Sequence, residues 1–263
     1  LLGEKMSYYN LATNQVLLRS YEELALLHKR KNAPTESKEE LAKTFGMSVD
    51  TFFRDSRRID NYVYNFPLLS LNAAIIEGIL RFILSQNLRA VINKHVEENS
   101  KKGQDTKSPY ENILDNFLIR VENDGGIENV FKYYFSYLKF HFDTEIDKAL
   151  FKKIKILFRL RNILAHGTTL VETNPDFIDE NNLAFFKQQE MLKDAKKLLD
   201  ELYGENDLLK NISHYEIPEY FMGVTQEFLQ EFKNKFGSKH NLSDDDSLFL
   251  DKIIGYSWGY RLV

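Results

Sequence analysis

Apolar residues recur at three- and four-residue steps along most of the chain, the period of helices that bury one face. Leu17, Leu18, Tyr21, Leu24, Leu26 and Leu27 mark a first helix within residues 1–33, ending in the basic run His28-Lys29-Arg30-Lys31. Ser37-Lys38-Glu39-Glu40 reads as a capping box opening a short helix that Gly46 closes, and Ser48 can cap the next one. Pro67 suits the first turn of a very apolar helix through Leu68, Leu71, Ile75, Ile76, Ile79, Leu80, Ile83 and Leu84. The polar stretch Glu98–Ser108 predicts an exposed loop. Helices follow over about 110–121 and 127–141, split by Asn123-Asp124-Gly125-Gly126, and then over about 144–166. The chain from Gly167 through Asn182 reads as irregular, with further helices over about 183–203 and 217–236. Ser243-Asp244-Asp245-Asp246 opens a last segment. Its end (Ile254, Tyr256, Trp258, Tyr260, Leu262) alternates with period two, which leaves helix and strand both open.

The helix over 144–166 breaks its own pattern. Leu150, Ile154, Leu157 and Leu164 form its core stripe, and Arg161 stands on that stripe where the geometry asks for another leucine. A cation on a buried face must be paired or must open onto a cavity, because burying it alone is very costly. His166 follows at the same helix end, just before Gly167, a helix stop. Lys148, Lys152, Lys155 and Arg159 run along another face at i, i+4, i+7 and i+11. That row reads either as the solvated back of an amphipathic helix or as a phosphate-tracking stripe. Glu77, inside the apolar helix, either pairs with Arg81 one turn on or orients Arg161.

Composition narrows the chemistry. Hydrophobic content of 43% and charged content of 28% are ordinary for a globular chain of 263 residues. Five prolines agree with a mainly helical fold, and the absence of cysteine excludes disulfides and thiolate chemistry. No apolar run comes near the roughly 20 residues that span a bilayer, and the opening residues lack a secretory layout, so a cytoplasmic protein with no membrane partner is expected. The net charge of −4 gives no global attraction to nucleic acid, so any such binding needs a local patch. The six histidines are scattered, with no paired metal spacing, no glycine-rich phosphate loop and no nucleophile elbow; no metal or cofactor is expected.

Arg161-Asn162-Ile163-Leu164-Ala165-His166 resembles the signature of the HEPN superfamily, an arginine followed four to six residues later by a histidine. The apolar helix with Ile76-Glu77-Gly78-Ile79-Leu80-Arg81, two connecting helices and the motif helix are similar to the HEPN four-helix core. The resemblance covers about residues 62–170. It implies a mainly α fold: a four-helix, up-and-down bundle with helical extensions at 1–61 and 171–263. It also implies a metal-independent endoribonuclease acting on single-stranded RNA in phage defence or as a toxin, with an antitoxin or activator as a further partner. Arg161 would then contact the scissile phosphate, His166 would serve as general acid or base, and Asn162 would fix the imidazole or contact the ribose. At about 100° per residue, Arg161 and His166 point some 140° apart, which a second copy across a two-fold axis or a break of the helix at Gly167 would resolve; a homodimer in which two copies share one cleft is expected. Toxins of this superfamily silenced by nucleotidyltransferases carry a tyrosine two residues past the histidine. Here that residue is Thr168, so such silencing is not expected.

Two other readings stay open. One is a non-catalytic HEPN module in which Arg161 and His166 hold a dimer or a partner. The other is a DNA-binding regulator, because Glu40-Leu41-Ala42, Gly46, Ser48, Thr51 and Arg54 resemble a helix-turn-helix over 38–59. Asp55 stands where that motif puts an apolar residue, and the charge from Lys38 to Arg58 is only +1, five basic against four acidic. The C-terminal aromatics Tyr256, Trp258 and Tyr260 could stack bases or pack against the helices.

Overall fold

A computed structural model describes residues 2–33, 36–49, 51, 58–103, 106–165, 183–204, 207–240 and 242–260, and these form helices and turns with no strand among them. The helices are α1 (Leu2–Asn32), α2 (Glu36–Thr44), α3 (Arg58–Lys101), α4 (Pro109–Asn123), α5 (Ile127–Leu138), α6 (Phe142–Glu145), α7 (Lys148–Ala165), α8 (Leu183–Tyr203), α9 (Leu208–Ile212), α10 (Ile217–Lys239) and α11 (Asp244–Ile254). The protein is mainly α-helical, as the periodicity requires.

Several boundaries differ from the expected ones. α2 begins at Glu36, which places Ser37 inside the helix rather than at its cap, whereas Gly46 closes the hairpin at φ +62°. Ser48 Oγ accepts from the Thr51 amide at 3.1 Å, the expected cap, but Arg54, Asp55 and the rest of 52–57 lie outside the described residues. Pro67 does not open a helix; it lies within α3. A proline there removes the bond to the Val63 carbonyl, on a stretch whose Val63 side chain is 63% exposed. Lateral anchors hold the turns before it: Asn61 Nδ2 donates to Ser213 O (2.9 Å), and Asn65 Nδ2 to Ile212 O (2.8 Å) and His214 O (2.9 Å). Helix therefore also replaces the first part of the expected loop, up to Lys101.

α3 corrects one further expectation. Its stretch Asn61–Lys101 is long and apolar enough by length and composition to cross a membrane; 67% of its most apolar window is buried inside the protein. Asn72, Glu77 and Arg81 interrupt this run, so no unbroken apolar stretch marks it in the sequence.

The chain divides into two compact units, each drawn from three separated stretches. The first contains Leu1–Leu18, Ala74–Lys148 and Phe228–Gly255. Its core joins fully buried Ile75, Ile76, Ile79, Leu80, Ile83 and Leu84 of α3 to an aromatic cluster of Tyr134, Phe140, Phe142, Phe228, Phe232 and Phe236. Tyr134 packs edge-on to Phe232 and Phe236 at 5.7 Å and donates its hydroxyl proton to Leu80 O at 2.8 Å, so the buried phenol is satisfied. α4 starts at a full capping box between Ser108 and Glu111, and α11 at Ser243, whose hydroxyl accepts from the Asp246 amide; the Asp244-Asp245-Asp246 run is the acidic first turn of that helix.

The second unit contains Arg19–Ala73, Ala149–Glu227 and Tyr256–Val263. Here the described part of the period-two tail, Tyr256 to Tyr260, resolves as turns and not a strand. Trp258 (φ +52°) and Gly259 (φ +80°) fold it back, and a Cβ on Gly259 would lie 2.8 Å from Glu22 O and 2.9 Å from the Ala25 Cβ. Only glycine allows that approach. Trp258 is thereby fully buried, edge-on to Tyr21 at 5.1 Å, so packing and not base stacking is its role. Among the residues of α1 whose burial is described, the buried face consists of Asn14, Leu18, Tyr21, Ala25 and His28; Leu18 and Tyr21 belong to the expected pattern, while Leu27 is 51% exposed.

Candidate functional site

α7 carries the sequence-predicted site. The helix starts at Lys148 rather than near 144, because Phe142–Glu145 forms its own turn and Ile146 is extended (φ −94°, ψ 149°). Its buried face is wider than one stripe: Leu150, Phe151, Ile154, Ile156, Leu157, Phe158, Leu160 and Ile163 are all under 10% exposed. A helix with apolar residues over so much of its circumference leaves a narrow polar sector, into which its charges must fit.

Arg161 is not buried as the stripe predicted. It is half-buried, next to exposed Asn162, and its Nη1 donates to Asn162 Oδ1 at 2.9 Å in an exposed pair. The physical reason is position. Arg161 lies in the last full turn before α7 ends at Ala165, where a long side chain can lead its head group out of the core. Asn162 therefore directs its carbonyl oxygen to the arginine. His166, with Gly167 and Thr168, lies outside the described residues.

Glu77 forms the i,i+4 ion pair with Arg81: Arg81 Nη2 and Nε lie 2.8 Å and 3.2 Å from Glu77 Oε1. The pair is not on a solvated strip, since the two side chains are only 13% and 16% exposed. Arg81 also donates to the Val121 and Asp124 carbonyls, at the C-terminal end of α4. Those carbonyls belong to a helix end that has no intrahelical partners to offer, and the guanidinium supplies them. No sequence signal ties Arg81 to acceptors some 40 residues away.

The cationic row divides. Lys148 and Lys152 are exposed, Lys155 and Arg159 half-buried. Asp194 of α8 bridges two of them, with Lys152 Nζ at 2.8 Å from Oδ1 and Arg159 Nη1 at 3.1 Å from Oδ2. Lys152 foremost, with Arg159, holds the Asp194 carboxyl below its usual range. Lys155 Nζ sits 4.5 Å from the centroid of the Phe151 ring, a cation–π contact one turn back. Spacing on α7 located the cations, but nothing in the sequence pointed to Asp194.

Among the described residues, no three His, Asp or Glu side chains are placed to hold a metal ion. No protein-family model matches the chain, and neither does any curated protein or solved structure.

Proposed function

We propose that this protein is a metal-independent endoribonuclease of the HEPN type, cleaving single-stranded RNA as a cytoplasmic homodimer in defence or as a toxin. One observation carries the reading: the last turn of α7, a helix with a broad buried apolar face, presents Arg161, held by Asn162 at 2.9 Å, five residues before His166 in the sequence. In the reaction, the RNA 2′-oxygen attacks the adjacent phosphorus and loses its proton to a base. The bond from phosphorus to the 5′-oxygen breaks, and that oxygen takes a proton from an acid. The products are a 2′,3′-cyclic phosphate and a free 5′-hydroxyl. Arg161 would stabilise charge on the non-bridging oxygens, with Asn162 positioning the guanidinium, and His166 would supply or accept one of the protons. The four-helix bundle of residues 62–170 and the shared dimer cleft belong to the same proposal.

The test is cleavage of single-stranded RNA with EDTA present, comparing wild type with His166→Ala and Arg161→Ala matched for fold and dimer content. Cyclic phosphate ends formed by wild type and lost in both variants are the expected result. Equal cleavage by wild type and His166→Ala would overturn it. A second reading, a binding module without cleavage, draws on Asp194, which neutralises two of the four cations in the row. Dimerisation and RNA binding without cleavage would favour it.

A further inference from the structure

The first unit holds a cavity that the proposed chemistry does not use. It has a volume of about 110 Å³ and is bounded by Thr13, Asn14 and Leu17 of α1, Gly78, Arg81, Phe82 and Ser85 of α3, and Glu122 of α4. A buried water needs roughly 10–15 Å³ by such a measure, and an apolar cavity of roughly 150 Å³ takes benzene, so this space is of small-molecule size.

Its lining is mainly apolar, with a few polar groups set into it. Ser85 is 2% exposed, and its hydroxyl has no hydrogen-bond partner among the described residues. A buried hydroxyl left so is a loss of stability that a donor or acceptor in the cavity would remove. Asn14 is 3% exposed and brings an amide to the same wall. Gly78 makes room for it: a Cβ there would lie 2.4 Å from Asn14 Oδ1. Glycine inside a helix weakens that helix, so its place in the middle of α3 has a packing reason in this amide. Leu17 and Phe82 supply apolar walls.

The charges fix the class of ligand. Arg81 is paired with Glu77 at 2.8 Å and Glu122 with Arg89 at 2.5 Å, so both charges that line the cavity are already neutralised. A charged ligand would lose its hydration without meeting an uncompensated partner. A neutral one with donors and acceptors would match the hydroxyl, the amide and the carboxylate, and Glu122, which only accepts when ionised, favours an amino group beside it. We propose that this cavity binds a small uncharged molecule with an amino group next to a carbonyl or ring-nitrogen acceptor, as in an aminopyrimidine. The site is independent of the nuclease reading and stands or falls without it.

The experiment is titration of the full chain with cytosine, uracil and benzene, followed by amide chemical shifts and calorimetry. Saturable cytosine binding is expected, with a Kd on the order of 1 mM for a ligand of about eight heavy atoms. Uracil, which lacks the amino group, should bind about threefold weaker or worse, and Ser85→Ala and Asn14→Ala should each weaken cytosine binding roughly two- to tenfold. Ser85→Ala removes a hydroxyl that makes no bond, so its thermal midpoint should not fall, and it serves as the folded test should Asn14→Ala prove unstable. Cytidine separates a free base from one carried on a sugar. Absence of saturable binding would overturn the proposal. So would unchanged affinity in Ser85→Ala, or benzene binding as tightly as cytosine.

Discussion

Two core helices each carry an arginine, and their surroundings differ. On α3, Arg81 is enclosed: it meets one carboxylate and two carbonyls that end another helix, at 16% side-chain exposure. On α7, Arg161 stands in the final turn, half-buried, paired with the exposed side chain beside it. Sequence periodicity treats the two alike, as cations interrupting an apolar helix. What separates them is where on the helix each falls. A buried mid-helix arginine is kept by acceptors that surround it, from its own helix and from others, so it becomes part of the architecture. A terminal one can carry its head group toward the surface.

The largest expected effect breaks this comparison directly. Arg81→Met removes the cation paired with Glu77 and the donors to two helix-end carbonyls, and should cost about 3–5 kcal/mol in urea denaturation. Arg161→Ala should cost about 1 kcal/mol or less while removing RNA cleavage, since an exposed polar pair contributes little to folding. Equal losses of stability would show that Arg161 is architectural as well, and the proposed site would lose its main support.

The same comparison shows what the sequence could and could not disclose. Helix periods placed α8 at Leu183–Tyr203 without error and located the polar interruption on α7, because both are local properties of spacing. The pairing of Glu77 with Arg81 was also local. Its burial was not, because the Val121 and Asp124 carbonyls come from a distant stretch. Pro67 misled for the same reason: the anchors of Asn61 and Asn65 that allow α3 to run through it lie about 150 residues away. On α1, Leu18 and Tyr21 are buried as the pattern implies, but Asn14, Ala25 and His28 share their face without any leucine signal. Half of the candidate site, His166, lies outside the described residues, so the motif there is read from sequence alone.

His28 sharpens the contrast from a third position. It is 1% exposed, its Nδ1 lies 3.1 Å from the Tyr260 hydroxyl, and its Nε2 has no partner among the described residues. The surroundings include the Tyr64 ring at 5.5 Å and two cations: Lys29, bonded to Tyr260 O, and Lys31, over Tyr64. Unlike Arg81, it has no carboxylate to hold a charge, and burial lowers its pKa to about 4. The folded state therefore resists a proton that the unfolded chain accepts near 6.5. Stability from this residue is complete above that value and falls as the pH drops toward 4. Between pH 7.5 and 5 the loss should be about 2 kcal/mol. His240, lowered by burial and then by Lys239, acts in the same direction, so the readout is the difference in pH dependence between wild type and His28→Phe. A wild type and variant with parallel pH profiles would mean that His28 takes up its proton without cost.

The smallest effect on stability tests the surface end of the comparison. Asp194 bridges Lys152 and Arg159 with all three side chains between 37% and 54% exposed. Such a bridge contributes about 0.5 kcal/mol or less in water, so Asp194→Asn should hardly move the urea midpoint. Its effect on RNA should be larger. In wild type the aspartate competes with phosphate for both cations, and the variant lacks that competitor. If the row on α7 tracks RNA, Asp194→Asn should bind single-stranded RNA more tightly, and its affinity should fall more steeply with salt. The slope of log K against log salt should grow by up to about 1.4, or 0.7 for each added phosphate contact. Fluorescence anisotropy from about 50 to about 300 mM salt, over which the Debye length shortens from about 14 Å to about 6 Å, would measure this. A steeper slope would make the cationic row part of the RNA path and Asp194 its internal competitor. An unchanged slope, with wild-type binding intact, would assign Lys152 and Arg159 to holding α8, and leave Arg161 to find its phosphate without them.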